Sequence, residues 1–555
     1  MNSIRSIQGI GPRSPLEGQQ VDTEGIVTAV DDKGFYLQEP VADLNQGGPA
    51  VYVFTGRRPT VNPGDDVAVS GKVVEFVRPN EREEFSDAPT TQLEAKDPAA
   101  LVVRSSGNPV PSITIGKGGV QLSKTASNSD LWEKLESARV KIDSPVITNA
   151  PNDIPRYADL YALPNDGEGV EGRTKAGGVI RNAAGNPDAI PMRMPTEGLP
   201  AVNVGTKFKG ALEGNVVQRH GHHQVTVWDV DPGKMIESPI KPGITTLREK
   251  FPDPTHVLFV ASLNGENKDV KIEDVNKVAQ RNQHNVDDDV GSGQLERMCQ
   301  RIIENMGTPD IVAMQEIQDN DGGEISEEVD ANLTWDAIVD QIVALGGPRY
   351  KWVDRPPENN KEGGMPGGNI RTGFLYNPDR VTLDEASVYR LADPAFDGSR
   401  KPLVATFGFT HGGVTEKVTL ASVHNKSKRS GGEAAEAARD AQGTAINRWA
   451  MEHAPKGANE HIGVFGDRNA YTDEQSVKNE EVGGALTMLS RQLPETERYS
   501  TQFGGSSGEL DHAAVKTSVP VAIDLVHVNA DFDERFRSGD HDPTCTAWDF
   551  RRGQA

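Results

Sequence analysis

"KVTLASVHN", Lys417–Asn425, and "HIGVFGDRN", His461–Asn469, share one design: a short apolar, partly β-branched run that ends in histidine or aspartate followed by polar residues. Such runs read as buried strands. "HVLFVASLN" (His256–Asn264), "DIVAMQE" (Asp310–Glu316), "TGFLYNP" (Thr372–Pro378) and "AIDLVHVN" (Ala522–Asn529) are further runs of this kind. Helical text lies among them. "GQLERMCQRIIENMG", Gly293–Gly307, puts Leu295, Met298, Cys299, Ile302, Ile303 and Met306 on one face, and "GGEAAEAARDAQGTAINRWAMEH", Gly431–His453, is an Ala-rich second helix. Strands flanked by helices predict an α/β or α+β domain over residues 256–552, and no internal repeat subdivides it.

The chain has 555 residues, too many for one compact core. Its 58 basic and 82 acidic side chains give a formal net charge of -24. A surface of that sign repels nucleic acid unless a basic patch or bound divalent cations reverse the field locally, which counts against a passive nucleic-acid binder. A metal-dependent enzyme that meets phosphate at one place is compatible with it. The two cysteines, Cys299 and Cys545, fall in no Cys-x-x-Cys or Cys/His pattern. Cys299 lies on the apolar helix stripe, so a buried free thiol is the first expectation and a disulfide with Cys545 the second. No apolar run approaches the ~20 residues of a transmembrane helix. The opening "MNSIRSIQG" lacks the apolar stretch of a signal peptide, which implies an intracellular protein or one whose leader has been replaced by an initiator Met.

Ahead of this domain, residues 1–104 are strand-like, with "GIVTAV", "FYLQEP", "AVYVFTG" and "NPGDDVAVSGKVVEF" separated by turn residues. Short strands with glycines at the corners predict a small barrel of the oligonucleotide/oligosaccharide-binding (OB) type. "RSSGNPVPS", Arg104–Ser112, reads as a hinge. Residues 112–243 predict a second β-rich, barrel-like unit with a polar insertion near Asp166–Pro200. Within it "HGHH", His220–His223, reads as an exposed hairpin tip, with metal binding the less favoured alternative for want of a fourth ligand.

The informative pattern is where the polar residues fall. Asn264 and Glu266 follow one strand, Glu316 ends the next, His424 another, Asp467 and Asn469 a fourth, and Asp511-His512 and Asp540-His541 come later. One carboxylate at a strand end is usually a turn residue or helix cap. Six positions in succession imply instead that strand ends on one sheet edge build the floor of a cavity. Carboxylates gathered there repel one another, and a hard divalent cation with oxygen ligands offsets that cost.

Asn264-x-Glu266, Gln315-Glu316, Val423-His424, Gly466-Asp467-Arg468-Asn469, Leu510-Asp511-His512 and Asp540-His541-Asp542-Pro543 resemble, in sequence and order, the motifs of the endonuclease/exonuclease/phosphatase superfamily. "IQGIGPRSPLEGQQVDTEGIVTAV", Ile7–Val30, is similar to the small barrel that precedes the catalytic domain of secreted bacterial nucleases. The resemblance implies a four-layer α/β/β/α sandwich, with one or two OB-like barrels before it. It implies Glu316 as principal metal ligand with Asn264, Glu266 and Asp540 beside it, for Mg2+ or Mn2+. Calcium is a further structural or activating candidate, and "DNDGG", Asp319–Gly323, reads as a calcium loop or, more simply, a surface turn. His541 would act on the attacking water, held by Asp511. Asp467 and Asn469 would orient nucleophile and phosphate, and His424 would bind or protonate from the other side. Lys426, Lys428 and Arg429 form a local basic cluster that would be ordinary solvated charge after the strand or, equally, contact phosphate, and Arg371 would grip phosphate or cap its strand. Asp542 reads as a turn residue before Pro543. Gly539, where relatives often carry Ser, and Arg468, where they often carry an apolar residue, depart from the pattern.

The expectation is a secreted, monomeric, divalent-metal-dependent nuclease that hydrolyses phosphodiester bonds of DNA, with RNA as a further candidate, nucleic acid as its substrate and no membrane segment. A phosphatase or phospholipid phosphodiesterase on the same scaffold is the alternative, because substrate loops differ where the catalytic core is shared. Secretion rests on the resemblance.

Overall fold

The computed structural model describes residues 1–41, 43–77, 89–151, 157–219, 221–428 and 431–551. The chain mixes helices with a large share of sheet and divides into two units, Met1–Pro239 with Gly504–Ser506, and Ile240–Phe503 with Ser507–Ala555. Among the described residues no helix is long and apolar enough to cross a membrane.

In the first unit the strand Gln20–Val30 pairs antiparallel with both Gly34–Gln38 and Asp66–Phe76. Gly34–Gln38 pairs with Ala50–Phe54, which runs parallel to Thr90–Glu94, and that strand returns to Asp66–Phe76. The five strands therefore close into a ring. Alternation sends Val27, Phe35, Leu37, Val51, Val53, Val67 and Leu93 inward, all fully buried.

The rest of this unit is a nine-stranded sheet that runs from Met235–Ile236 at one edge to Ile113–Ile115 at the other. Among the described residues the two edges do not pair, so where the sequence suggested a second barrel the sheet is open. Two parallel pairings, Ile190–Pro195 with His222–Thr226 and Ile113–Ile115 with Arg139–Asp143, break the run of hairpins. The first of these strands arises inside the polar stretch that the sequence presented as an insertion.

The second unit holds two six-stranded sheets. One has the order Lys351–Val353, Arg371–Tyr376, Ile311–Ile317, Val257–Lys268, Thr544–Asp549, Val521–Leu525, and the other Val381–Arg390, Leu403–His411, Val414–His424, Glu460–Asp467, Asp511–Lys516, Thr487–Met488. Each has one parallel pair at its centre, Val257–Lys268 with Ile311–Ile317 and Val414–His424 with Glu460–Asp467. One apolar cluster draws Val260, Ile311, Phe374 and Trp548 from the first sheet and Phe407, Leu420 and Phe465 from the second. The other face of the first sheet buries Met298, Ile302, Trp335 and Ile338 from its helices; that of the second buries Ala445, Ile446 and Trp449 from the helix Gly432–Glu452. Continuous apolar strand text is what a strand covered on both faces requires. Cys299 and Cys545 are both buried, free thiols.

Candidate active site

The register of the central strands brings the polar residues together. Asn264 stands opposite Gln315, so Glu316 follows on the neighbouring strand, while His424 pairs with Asp467 and Asp467 with Asp511. The two sheets are tied beneath these ends. Gln315 Nε2 donates to Ser422 Oγ at 3.0 Å, and the Ser422 hydroxyl donates to the Met314 carbonyl at 3.1 Å. Gly466, at φ 129°, leaves room for the Gln315 side chain of the other sheet, because a Cβ there would lie 2.9 Å from Gln315 Nε2; it would also lie 2.2 Å from the Val423 carbonyl oxygen on the adjacent strand of its own sheet.

Nine of the residues read from the sequence form one connected group. Asn264 Nδ2 donates to Glu316 Oε1 at 3.1 Å, and the Glu266 amide donates to Asn264 Oδ1 at 2.9 Å. His424 Nε2 is 3.5 Å from both Glu316 Oε1 and Asp467 Oδ2. Asp467 accepts from the Asn469 amide at 2.6 Å and from Asn469 Nδ2 at 3.0 Å. His541 Nδ1 lies 2.6 Å from Asp511 Oδ2, which also accepts from the Ser500 hydroxyl at 2.7 Å, and His541 Nε2 lies 3.8 Å from Asp540 Oδ1. Glu266, Glu316 and Asn469 have φ of 54°, 57° and 49°, a left-handed backbone that ordinary side chains rarely adopt. Three such residues in one group mark a place where the surrounding fold holds strained backbone.

The electrostatics divide the two histidines. Burial alone would lower the His541 pKa, but Asp511, Asp540 and Asp467 together hold it well above the ordinary histidine value. Burial, then Arg400 and His541, hold His424 well below it, so His424 is neutral. Burial pushes the Asp467 carboxyl up to about 7 and, with Asp540 next in effect, the Glu266 carboxyl up to about 7. Acidic charge here exceeds what the protein itself neutralises.

That excess suits a divalent cation. Glu316 and Asp540 keep 19% and 28% of their side chains exposed, while Nδ1 of His424 and both side-chain polar atoms of Asn425 are buried without hydrogen-bond partners. Among the described residues Glu316, His424 and Asp467 each place a ligand atom within 4.8 Å of the others, as do Asp467, Asp511 and His541, and these are the groups that could hold such an ion.

Other sequence candidates lie differently. Arg371 is 3% exposed and its guanidinium donates to the Val329 carbonyl at 2.6 Å and faces Asp354 at 3.4 Å. Lys428 Nζ is 2.6 Å from Glu474 and lies over the Tyr471 ring. Lys426 is half-buried, and its backbone amide donates to Gln442 Oε1 at 2.9 Å. Arg429 and His220 fall outside the described residues. Asp319 is fully buried and accepts from Asn369 Nδ2 at 2.9 Å, so the surface turn expected at Asp319–Gly323 is an interior loop. Asp542 is more than a turn residue: one oxygen accepts the amides of Val528, Asn529 and Ala530 at 2.7–3.1 Å, and the other meets His527 Nδ1 at 3.0 Å.

Arg400 was not visible in the sequence. It is buried, donates to the Asn425 carbonyl, and its charge acts on Glu316, Asp467 and His424. A lone arginine after a glycine-serine turn carries no sequence signal. Arg468, the departure from the family pattern, is fully buried against Glu480 at 3.0 Å and donates to the carbonyls of Val464, Gly466 and His512. Gly539 is not forced: a Cβ there would meet Glu266 Cβ at 3.5 Å, ordinary contact.

Residues 83–233 match a family described as "Domain of unknown function (DUF8508)". No curated protein matches the chain. Among solved structures the chain is similar to TDP2 of D. rerio complexed with a single-strand DNA product, at 16% identity and TM-score 0.34, over 53% of this chain and 98% of that one. It is similar to the catalytic domain of human Nocturnin with bound sulfate, at 16% identity and TM-score 0.36, over 53% and 95%. It is also similar to an endonuclease/exonuclease/phosphatase from Bacteroides vulgatus, at 14% identity and TM-score 0.36, over 53% and 99%.

Proposed function

We propose that the second unit is a divalent-metal-dependent phosphodiesterase that hydrolyses DNA, built as a four-layer α/β/β/α sandwich, and that the closed ring of the first unit is an OB-like barrel. The observation that carries the reading is the His541–Asp511 contact at 2.6 Å, with Asp467 beside both, Glu316 beyond it and Asp540 3.8 Å from His541. Asp511 holds the Nδ1 proton, which leaves Nε2 of His541 as the atom that moves a proton at the attacking water. Asn469, whose amides donate to Asp467 and to the Asn425 carbonyl, would hold Asp467 in place to orient nucleophile and phosphate. Neutral His424, beside Glu316, donates a hydrogen bond to a phosphate oxygen without adding charge. A bound cation supplies Lewis-acid neutralisation of the charge that builds on phosphate. Secretion is part of this proposal and rests on the sequence resemblance alone.

Plasmid DNA with Mg2+ or Mn2+ tests the reading. Nicking that disappears with EDTA and in His541→Ala is expected; no nicking with either metal, or nicking that survives both, defeats it. A phosphatase or phospholipid phosphodiesterase is the second reading, favoured by the net charge of -24 and by the pairing of Lys428 with Glu474. Preference for a phosphomonoester or a phospholipid over supercoiled DNA in a parallel panel selects it.

A further inference from the structure

Far along the chain from that group, the first unit contains a second set of metal-ligating side chains. Glu133 lies on the short helix Ser129–Lys134 and Glu136 follows three residues later, on the same side. His223 lies on the strand His222–Thr226, paired to the strand Ala211–Arg219. His223 Nε2 is 3.8 Å from Glu133 Oε2 and 3.9 Å from Glu136 Oε2. Both separations are too long for hydrogen bonds. Glu136 is 1% exposed, and its Oε2 and His223 Nε2 are buried without hydrogen-bond partners. Its other oxygen is fixed, accepting from Gln8 Nε2 at 2.9 Å and from the Thr91 amide at 3.0 Å. The carboxylate is thus oriented by groups behind it, as second-layer contacts orient a ligand, with its spare oxygen aimed at the imidazole.

A buried carboxylate oxygen and a buried imidazole nitrogen left unpaired are costly, and a plain ion pair would close to remove the cost. The gap matches a shared ion instead: two donors about 2.0–2.2 Å from one cation stand about 3–4 Å apart. We propose that Glu133, Glu136 and His223 bind a first-row divalent cation, Zn2+ or Mn2+, as its three protein ligands with water in the remaining position, at a site built from residues other than those of the proposed active site. The imidazole selects against Mg2+ and Ca2+, which prefer oxygen donors throughout.

The test uses the full chain stripped of metal, titrated with Zn2+ and counted by mass spectrometry. His223→Gln and Glu136→Gln each lose one equivalent, or weaken it at least about 100-fold, with unchanged circular dichroism. Glu316→Gln keeps that equivalent, which separates this site from the proposed active site. Wild-type stoichiometry and affinity in both first-unit variants overturn the proposal. Should those variants misfold, crystals of the wild-type protein soaked in Zn2+ decide it. An anomalous peak bonded to all three side chains is expected, and no peak there overturns it.

Discussion

His541 Nδ1 and Asp511 Oδ2 approach to 2.6 Å, and both residues are buried. Asp511→Asn keeps the shape but loses the charge that fixes the tautomer and supports the imidazolium. The expected loss in kcat is about 10²–10⁴-fold, measured by plasmid nicking. The pH profile gives the sign. Against burial, the carboxylates raise His541, so the neutral base accumulates only above the ordinary histidine value, and wild-type activity climbs with pH through that range. Removing the Asp511 charge lowers the His541 pKa, so the rising limb of the residual activity moves to lower pH. A limb that stays in place would remove Asp511 from this role.

Metal removal tests Glu316, whose carboxylate accepts from Asn264 and lies 3.5 Å from His424. EDTA is expected to abolish activity in wild type, and Mg2+ or Mn2+ to restore it. Glu316→Gln keeps the hydrogen-bond acceptor but removes the charge, so it requires more metal for half-maximal activity and keeps its thermal midpoint within a few degrees. A metal requirement equal to wild type would exclude Glu316 as a ligand.

Gly466 is a position where neither the adjacent strand nor the other sheet admits a side chain. A Cβ would lie 2.2 Å from the Val423 carbonyl oxygen, one register step before the His424–Asp467 pair, and 2.9 Å from Gln315 Nε2, and φ is 129°. Gly466→Ala is expected to destabilise by about 3 kcal/mol or more, read by urea denaturation. A change below about 1 kcal/mol would mean that the strands part more easily than this packing implies.

Arg468 and Glu480 form a fully buried pair at 3.0 Å. Removing one partner leaves an uncompensated charge, and Glu480→Gln is expected to cost about 3–5 kcal/mol. Arg468→Met combined with Glu480→Leu recovers part of that loss. Recovery is incomplete because the carbonyls of Val464, Gly466 and His512 lose their donor. Additive losses in the double variant would rule out the pairing as the source of the cost.

Much of the second unit was legible because its central strands are covered on both faces and read as unbroken apolar runs, and because register carries the polar residue after each run to the same place. Asn264, Glu316, His424 and Asp467 were found this way. What escaped depends on partners distant in sequence. Arg400 has no periodic signal, the charge of Lys428 is taken by Glu474, and Arg371 lies inside against Val329 and Asp354. Asp542 looks like any Asp before Pro until the loop 528–530 turns three amides onto it. The hairpin read at "HGHH" is there, with Arg219 paired to His222; what the sequence did not show is that Glu133 and Glu136, from a segment some way back along the chain, lie near His223.

His512 and Glu509 set a stability window. Both are buried, 3.3 Å apart, and His512 Nε2 donates to the Ala470 carbonyl at 2.8 Å. Burial would lower His512, but Glu509 outweighs it and raises the pKa above the ordinary 6.5. Its contribution is therefore complete below 6.5 and fades as pH rises through the folded value. Burial would raise Glu509, but His512, Thr472 and Ser490 hold it below the ordinary 4.5. That contribution is complete above 4.5 and fades as pH falls through the folded value. The pair thus stabilises most between 4.5 and 6.5. His512→Gln keeps a donor for Ala470 but has no charge. Its thermal midpoint should fall furthest below wild type inside that window and converge on wild type at alkaline pH; a difference independent of pH would show that packing alone, and not the charge pair, is what the substitution removes.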